Sequence, residues 1–327
     1  MKNQMKSRIV LFIILAILLN GPVASSAEQR TPPFALTLPG LEWALEIGAP
    51  GFLSGRTSLD PRGDSVYLFA SNKETHMLLS VFLEKAARRG SSKECRDFYW
   101  NGTKNTPLKK EQIKMYDLGE MAIVEYVVPT FRSWETNQKN LFAYLTRGVY
   151  RSYIHLSKMK FVPGEEGLFK QILGSAKFND SYNPTVLDLY EFGNLSFYRR
   201  DFPEAISYYR RALELDKYRK NLGREPWLTL VDHLGMAYAF SGDFTKAKQT
   251  YEWAISQESE YPMFFYNLAC ACAEMNKMDE ALSNLRLAFK CKGNLLPDQE
   301  FPNPRSDSSF KKYLNDKVFL AELQKME

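Results

Sequence analysis

The residues that could do chemistry in this 327-residue chain are three histidines, four cysteines and scattered carboxylates. His76, His155 and His233 lie far apart, and none stands in an HExxH-type spacing that would set two imidazoles on one helix face. Cys95, Cys270, Cys272 and Cys291 form no CxxC pair, and the spacing lacks the paired form of a zinc site. Two of them, Cys270 and Cys272, are two apart on an expected helix and so point to different faces. All four read as small buried thiols; the other reading is a disulfide, for which four cysteines allow three pairings. The serine stretches "GSSKE" and "LGSAK" do not match GxSxG, and the chain has no Walker loop and no GxGxxG. Glu165-Glu166 opens an expected helix, where carboxylates favour the positive end of the dipole. Cys95, in "KECRDFYW", has no histidine beside it in sequence. The expectation is therefore a protein that is not an enzyme, with no catalytic, cofactor-binding or metal residue; an envelope enzyme using Cys95 is the reading against it.

What, then, must the chain position? Residues 1–27 read as a secretory signal peptide: Lys2, Lys6 and Arg8, then the apolar run Ile9 to Leu19, then small residues with Ser25 and Ala27 at the −3 and −1 places. The run is short for a bilayer span, which takes about 20 residues, so an uncleaved anchor is the weaker alternative. Without the three basic residues of the leader, 40 Lys and Arg face 38 Asp and Glu. A near-neutral mature chain does not suit a broad electrostatic hold on nucleic acid. No integral span is expected after cleavage, the oligomeric state is left open, and the location is exported. Lys85 to Lys114 holds nine basic residues against three acids, read as a solvated face or loop.

Beyond residue 185 the pattern is one of size. Alanines recur at Ala205, Ala247 and Ala281, each followed seven residues on by Ala212, Ala254 and Ala288. Between them stands a large residue, Tyr209, Tyr251 or Leu285. Twelve residues before the first alanine comes a small one, Gly193, Gly235 or Ala269. Turn-like stretches "RRDFPEA", "SGDFTKA" and "NKMDEA" lead into each alanine. Small residues let antiparallel helices approach and large ones fill the groove between units. This resembles the tetratricopeptide repeat, in three units at 186–219, 228–261 and 262–295, together 186–295. About eight residues are inserted in "KYRKNLGREP", and Cys272 and Asn276 depart from the usual residues. A tail over 296–327, "SSFKKYLNDKVFLAELQK", looks like the short ending that closes bacterial arrays of this family, so the expected location is the periplasm. A cap is physically required to cover the last apolar face.

The resemblance implies a concave groove lined by the first helix of each unit. Carried over position by position, it comprises Tyr190, Asn194, Phe197 and Tyr198, then Asp232, Met236 and Phe240, then Tyr266, Cys270 and Glu274. Some members clamp a C-terminal carboxylate with Lys and Arg; here the fifth positions are Tyr190, Asp232 and Tyr266, so that clamp is absent. An aromatic-rich groove suits a peptide segment of a protein partner carrying apolar anchors. The other reading is that these aromatics pack against the rest of the chain.

Residues 28–180 read as an α+β domain with a mostly antiparallel sheet. "SVYLFAS" and "HMLLSVFLEK" flank "NKET" as a hairpin, "MAIVEYVVP" is a third strand, and "LFAYLT" and "VYRSYIHLS" flank Arg147-Gly148 as a second hairpin. "LEWALEIG" and "FLSGRTSL" are weaker strands. Helices are expected at 92–100 and 165–175, the second with Leu168, Phe169, Ile172 and Leu173 on one side. The order is similar to PsbP-like domains, which implies a binding or assembly role. The expected function is an exported scaffold or adaptor of the cell envelope that holds a partner segment in its groove. The alternative is a small-molecule or lipid-binding N-terminal domain docked to an assembly by the repeats.

Overall fold

The computed structural model describes residues 32–217 and 221–326. The expected signal peptide lies outside the described residues. The chain divides into two compact units between Asn183 and Pro184.

In the first unit, alternating apolar residues build a seven-stranded sheet. Its strands are β3 (Leu53–Leu59), β4 (Ser65–Asn72), β5 (Met77–Lys85), β6 (Glu111–Leu118), β7 (Met121–Phe131), β8 (Trp134–Arg147) and β9 (Tyr150–Lys158), in the order β3-β4-β5-β9-β8-β7-β6. Every neighbouring pair is antiparallel. Burial alternates residue by residue along β4, as one covered and one open face require. The β4–β5 turn is tied by Asn72, whose side-chain oxygen accepts from the Glu74 and Thr75 amides at 2.9 and 3.0 Å. Gly148 takes the left-handed conformation at the β8–β9 turn.

Two layers cover this sheet. On one face Leu79, Val81, Ile123, Ala143 and Ile154 pack with Leu45 and Ile47 of β2 (Ala44–Ile47) and with Phe169, Ile172 and Leu173. The last three project from helix α2 (Glu166–Gly174). Strand β2 pairs with β1 (Phe34–Leu36) and β10 (Lys177–Asn179) in a small second sheet. On the opposite face helix α1 (Ser92–Thr103) lies over β7 and β8, with Cys95 among Val124, Tyr126, Val128, Phe142 and Tyr144. A capping box between Ser91 and Glu94 starts α1. The unit is α+β with a mostly antiparallel sheet. Strand β6 was not expected: its first half falls in the stretch read as a basic face or loop, and six of its eight residues are exposed.

The second unit is an all-α array of helical hairpins. Its pairs are α3 (Val186–Tyr198) with α4 (Phe202–Leu215), α5 (Arg224–Phe240) with α6 (Phe244–Gln257), and α7 (Pro262–Glu274) with α8 (Met278–Lys290). Asp201 and Asp243 cap α4 and α6, each accepting from the amide three residues on. Each hairpin turn holds one left-handed residue, Arg200, Gly242 or Asn276. The size pattern is a packing fit. A methyl group on Gly193 would stand 2.4 Å from the Tyr209 ring, and one on Gly235 2.3 Å from the Tyr251 ring. Helix α5 has 17 residues against 13 in α3 and α7, so part of the expected insertion is an extra helical turn. After α8 the chain forms a 3-10 segment (Ser308–Tyr313) on α7 and a last helix α9 (Lys317–Met326) on α8.

Candidate functional site

Successive first helices of the array bring their exposed faces together. Between α5, α7 and the start of the closing segment lies a cleft of about 600 Å³. Met236, Phe240 and Phe244 form its apolar side; Cys270, Glu274 and Asp307 form its polar side. Phe240 is 58% exposed and leans on Phe202 and Phe197, with ring centroids 5.1 and 6.2 Å apart. Met236, Phe240, Cys270 and Glu274, four of the residues expected to line a groove, meet in this cleft.

The others are placed differently. Tyr198 is 73% exposed at the end of α3. Tyr190 and Asn194 are half-buried beside α5. The Asn194 side-chain oxygen accepts from the Tyr209 hydroxyl at 2.8 Å and lies 3.1 Å from His233 Nδ1. Phe197 is not open to a partner: its ring stacks on His233, centroids 4.4 Å apart, and is buried. Burial of that imidazole lowers its pKa to about 4, so His233 is neutral at pH 7 and serves packing.

Two further residues are corrected. Tyr266 is 1% exposed, covered by the tail. Phe301 and Phe310 pack edge-on against its ring at 5.7 and 6.0 Å, and its hydroxyl donates to Asp307 at 2.9 Å. Asp232 is also buried, its carboxylate accepting from Asn267 at 2.7 Å. Desolvation raises the Asp232 pKa to about 7, against the lowering effect of the Asn267 hydrogen bond. In both cases another element supplies the cover: the closing segment for Tyr266, helix α7 for Asp232.

The sequence reading missed Phe244, Asn267 and the run Asp307–Ser309. Phe244 follows a hairpin turn, and Asn267 stands one repeat and one residue beyond Asp232; that offset was the available signal. The tail residues gave none, because only the chain's return places them there. The four cysteines are free. Burial raises the pKa of Cys95 to about 12 and that of Cys270 well above the usual thiol range. His155, stacked on Phe142 and 3.1 Å from the Asn140 side chain, is lowered to about 3 by burial.

The second unit thus combines helical hairpins, small-on-large contacts between them and a cleft beside their first helices. Residues 231–261 match the tetratricopeptide repeat family, and the hairpins on either side of them repeat the same helix-turn-helix order. Among solved structures the chain is similar to PcrH from Pseudomonas aeruginosa, at 16% identity over 43% of this chain and 90% of that one, TM-score 0.31. It is similar to the Yersinia enterocolitica type III secretion chaperone SycD in complex with a peptide of the translocator YopD, at 18% over 45% and 96%, TM-score 0.32. It is also similar to the Sgt2 tetratricopeptide domain from Aspergillus fumigatus, at 19% over 44% and 82%, TM-score 0.32. No curated protein matches the chain in sequence.

Proposed function

We propose that this is an exported adaptor of the cell envelope, periplasmic in location, whose repeat array holds a segment of a partner protein. The observation that carries the reading is the cleft itself: about 600 Å³, with Met236 and Phe240 presented at its side. Apolar side chains left open at a concave site gain from covering, roughly 25 cal/mol for each Å² removed from water. The leader over residues 1–27 is what supports export. The test is crosslinking from envelope extracts with the full chain and with Met236→Ala/Phe240→Ala. Loss of one specific crosslinked protein, at unchanged thermal stability, supports the reading; equal recovery by both chains ends it.

A second reading has its own observation. The first unit holds a cleft of about 570 Å³ bedded by Met121, Leu145 and Phe178, with Arg147 paired to Asp180 beside it. A small molecule or lipid held there would make the array a docking device. A ligand that co-purifies with residues 32–183, found by mass spectrometry of the denatured protein, separates the two.

A further inference from the structure

The charges at the array's cleft are all of one sign. Glu274 and Asp307 both line it, and among the described residues no lysine or arginine does. Asp307 accepts from the Tyr266 hydroxyl and from the Ser309 amide at 2.9 Å each, and the Cys270 thiol stands 3.8 Å away. Its neighbours are therefore neutral donors. The Glu274 side chain makes no hydrogen bond or ion pair among the described residues, although the residue is half-buried. Two nearby cations are engaged elsewhere: Lys277 with Glu280 at 3.0 Å, Lys312 with the Asn276 side chain at 2.8 Å. Carboxylates on a half-buried concave surface with no counter-charge raise the local potential against anions and favour cations. In the same cleft Met236, Phe240 and Phe244 supply apolar lining.

We propose that the segment taken by this cleft is a basic amphipathic peptide, with a lysine or arginine set beside apolar anchors. The apolar anchors cover Met236 and Phe240. The cation meets Glu274 and Asp307, and its aliphatic stem lies along the apolar lining. An acidic segment brings like charge to Glu274 and is rejected, so the carboxylates set specificity as well as affinity. This rests on the groove reading above, and it names the partner chemistry that reading leaves open.

The test is selection from a random peptide library displayed on phage, with the full chain as bait, followed by fluorescence anisotropy on the enriched peptides. Enriched sequences should combine Lys or Arg with apolar residues. Replacing the basic residue by Gln should weaken binding roughly three- to tenfold, less so at high salt. Glu274→Gln should erase that difference, and Glu274→Lys should turn the selection toward acidic peptides. Asp307 is left intact because it also holds the tail. Apolar peptides without charge preference, whose binding Met236→Ala/Phe240→Ala removes, would keep the groove and overturn the charge assignment. Basic peptides whose binding ignores Met236→Ala/Phe240→Ala, or no enrichment at all, would overturn both.

Discussion

Gly235 and Tyr251 share one space: a methyl on the glycine would sit 2.3 Å from the ring. Gly235→Ala should therefore cost about 1–3 kcal/mol of stability, the usual effect of overpacking. At the matching place the third unit has Ala269 and Leu285, both fully buried. Adding Tyr251→Leu to Gly235→Ala should return part of the loss, and urea unfolding of the two singles and the double reads this coupling. Additive losses would show that the fit is not what selects these residues. Asp232 and His233, adjacent on α5, make a second prediction. Asp232 titrates at about 7 in the fold and near 3.9 when unfolded. Between those values the folded chain holds the extra proton, so stability falls as pH rises toward 7 and is level above. His233 acts oppositely: lowered to about 4 from roughly 6.5, it makes stability fall as pH drops through that window. The two slopes offset each other in wild type. In Asp232→Asn only the histidine slope remains, so the variant's stability advantage should widen from pH 4 to pH 7. An advantage constant with pH would mean Asp232 titrates normally.

At the scale of elements, the closing segment stands where a next hairpin would pack. Phe310 and Phe319 are fully buried and stacked 5.8 Å apart, while Arg286–Glu322 is an exposed pair at 2.6 Å. Phe310→Ala should cost about 3–5 kcal/mol, as truncation of a buried aromatic does. Arg286→Ala should cost at most about 1 kcal/mol. Thermal melts of both variants check the contrast, and a similar shift in the two would mean the tail is held by charge. The tail also shows where sequence reasoning stopped. The helix faces of the repeats could be read from spacing, and Met236, Phe240, Cys270 and Glu274 fall at one cleft. Tyr266 could not be recognised as covered, because its cover comes from Phe301 and Phe310 beyond the last repeat. In the sheet, β4, β5, β7, β8 and β9 announced themselves by apolar runs or alternation. Strand β6 did not, since an edge strand with six of its eight residues exposed shows no alternation to mark a face. Strands β1 and β10 are three residues each and exist only through pairing with β2.

The whole molecule combines two kinds of core. The sheet unit joins residues distant in sequence, as where Lys177 pairs with Glu46. The array is built from contacts between successive helices. Each unit has a core of its own: a mainly aliphatic layer on one face of the sheet and an aromatic-rich one on the other in the first, and Tyr209, Trp227, Tyr251 and Phe264 in the second. All the sheet's strands come from before Asn183, so the sheet is complete within the first unit. Residues 32–183 and 184–327, made separately, should therefore each melt cooperatively. Their refolding should differ, because non-local strand pairing must close long loops before it gains contacts, whereas helical hairpins close short ones. Stopped-flow fluorescence should find the helical piece refolding at least about tenfold faster than the sheet piece. The full chain should show both phases with the rates of its pieces. A single phase in the full chain, or a piece that fails to fold alone, would show that the two cores form as one.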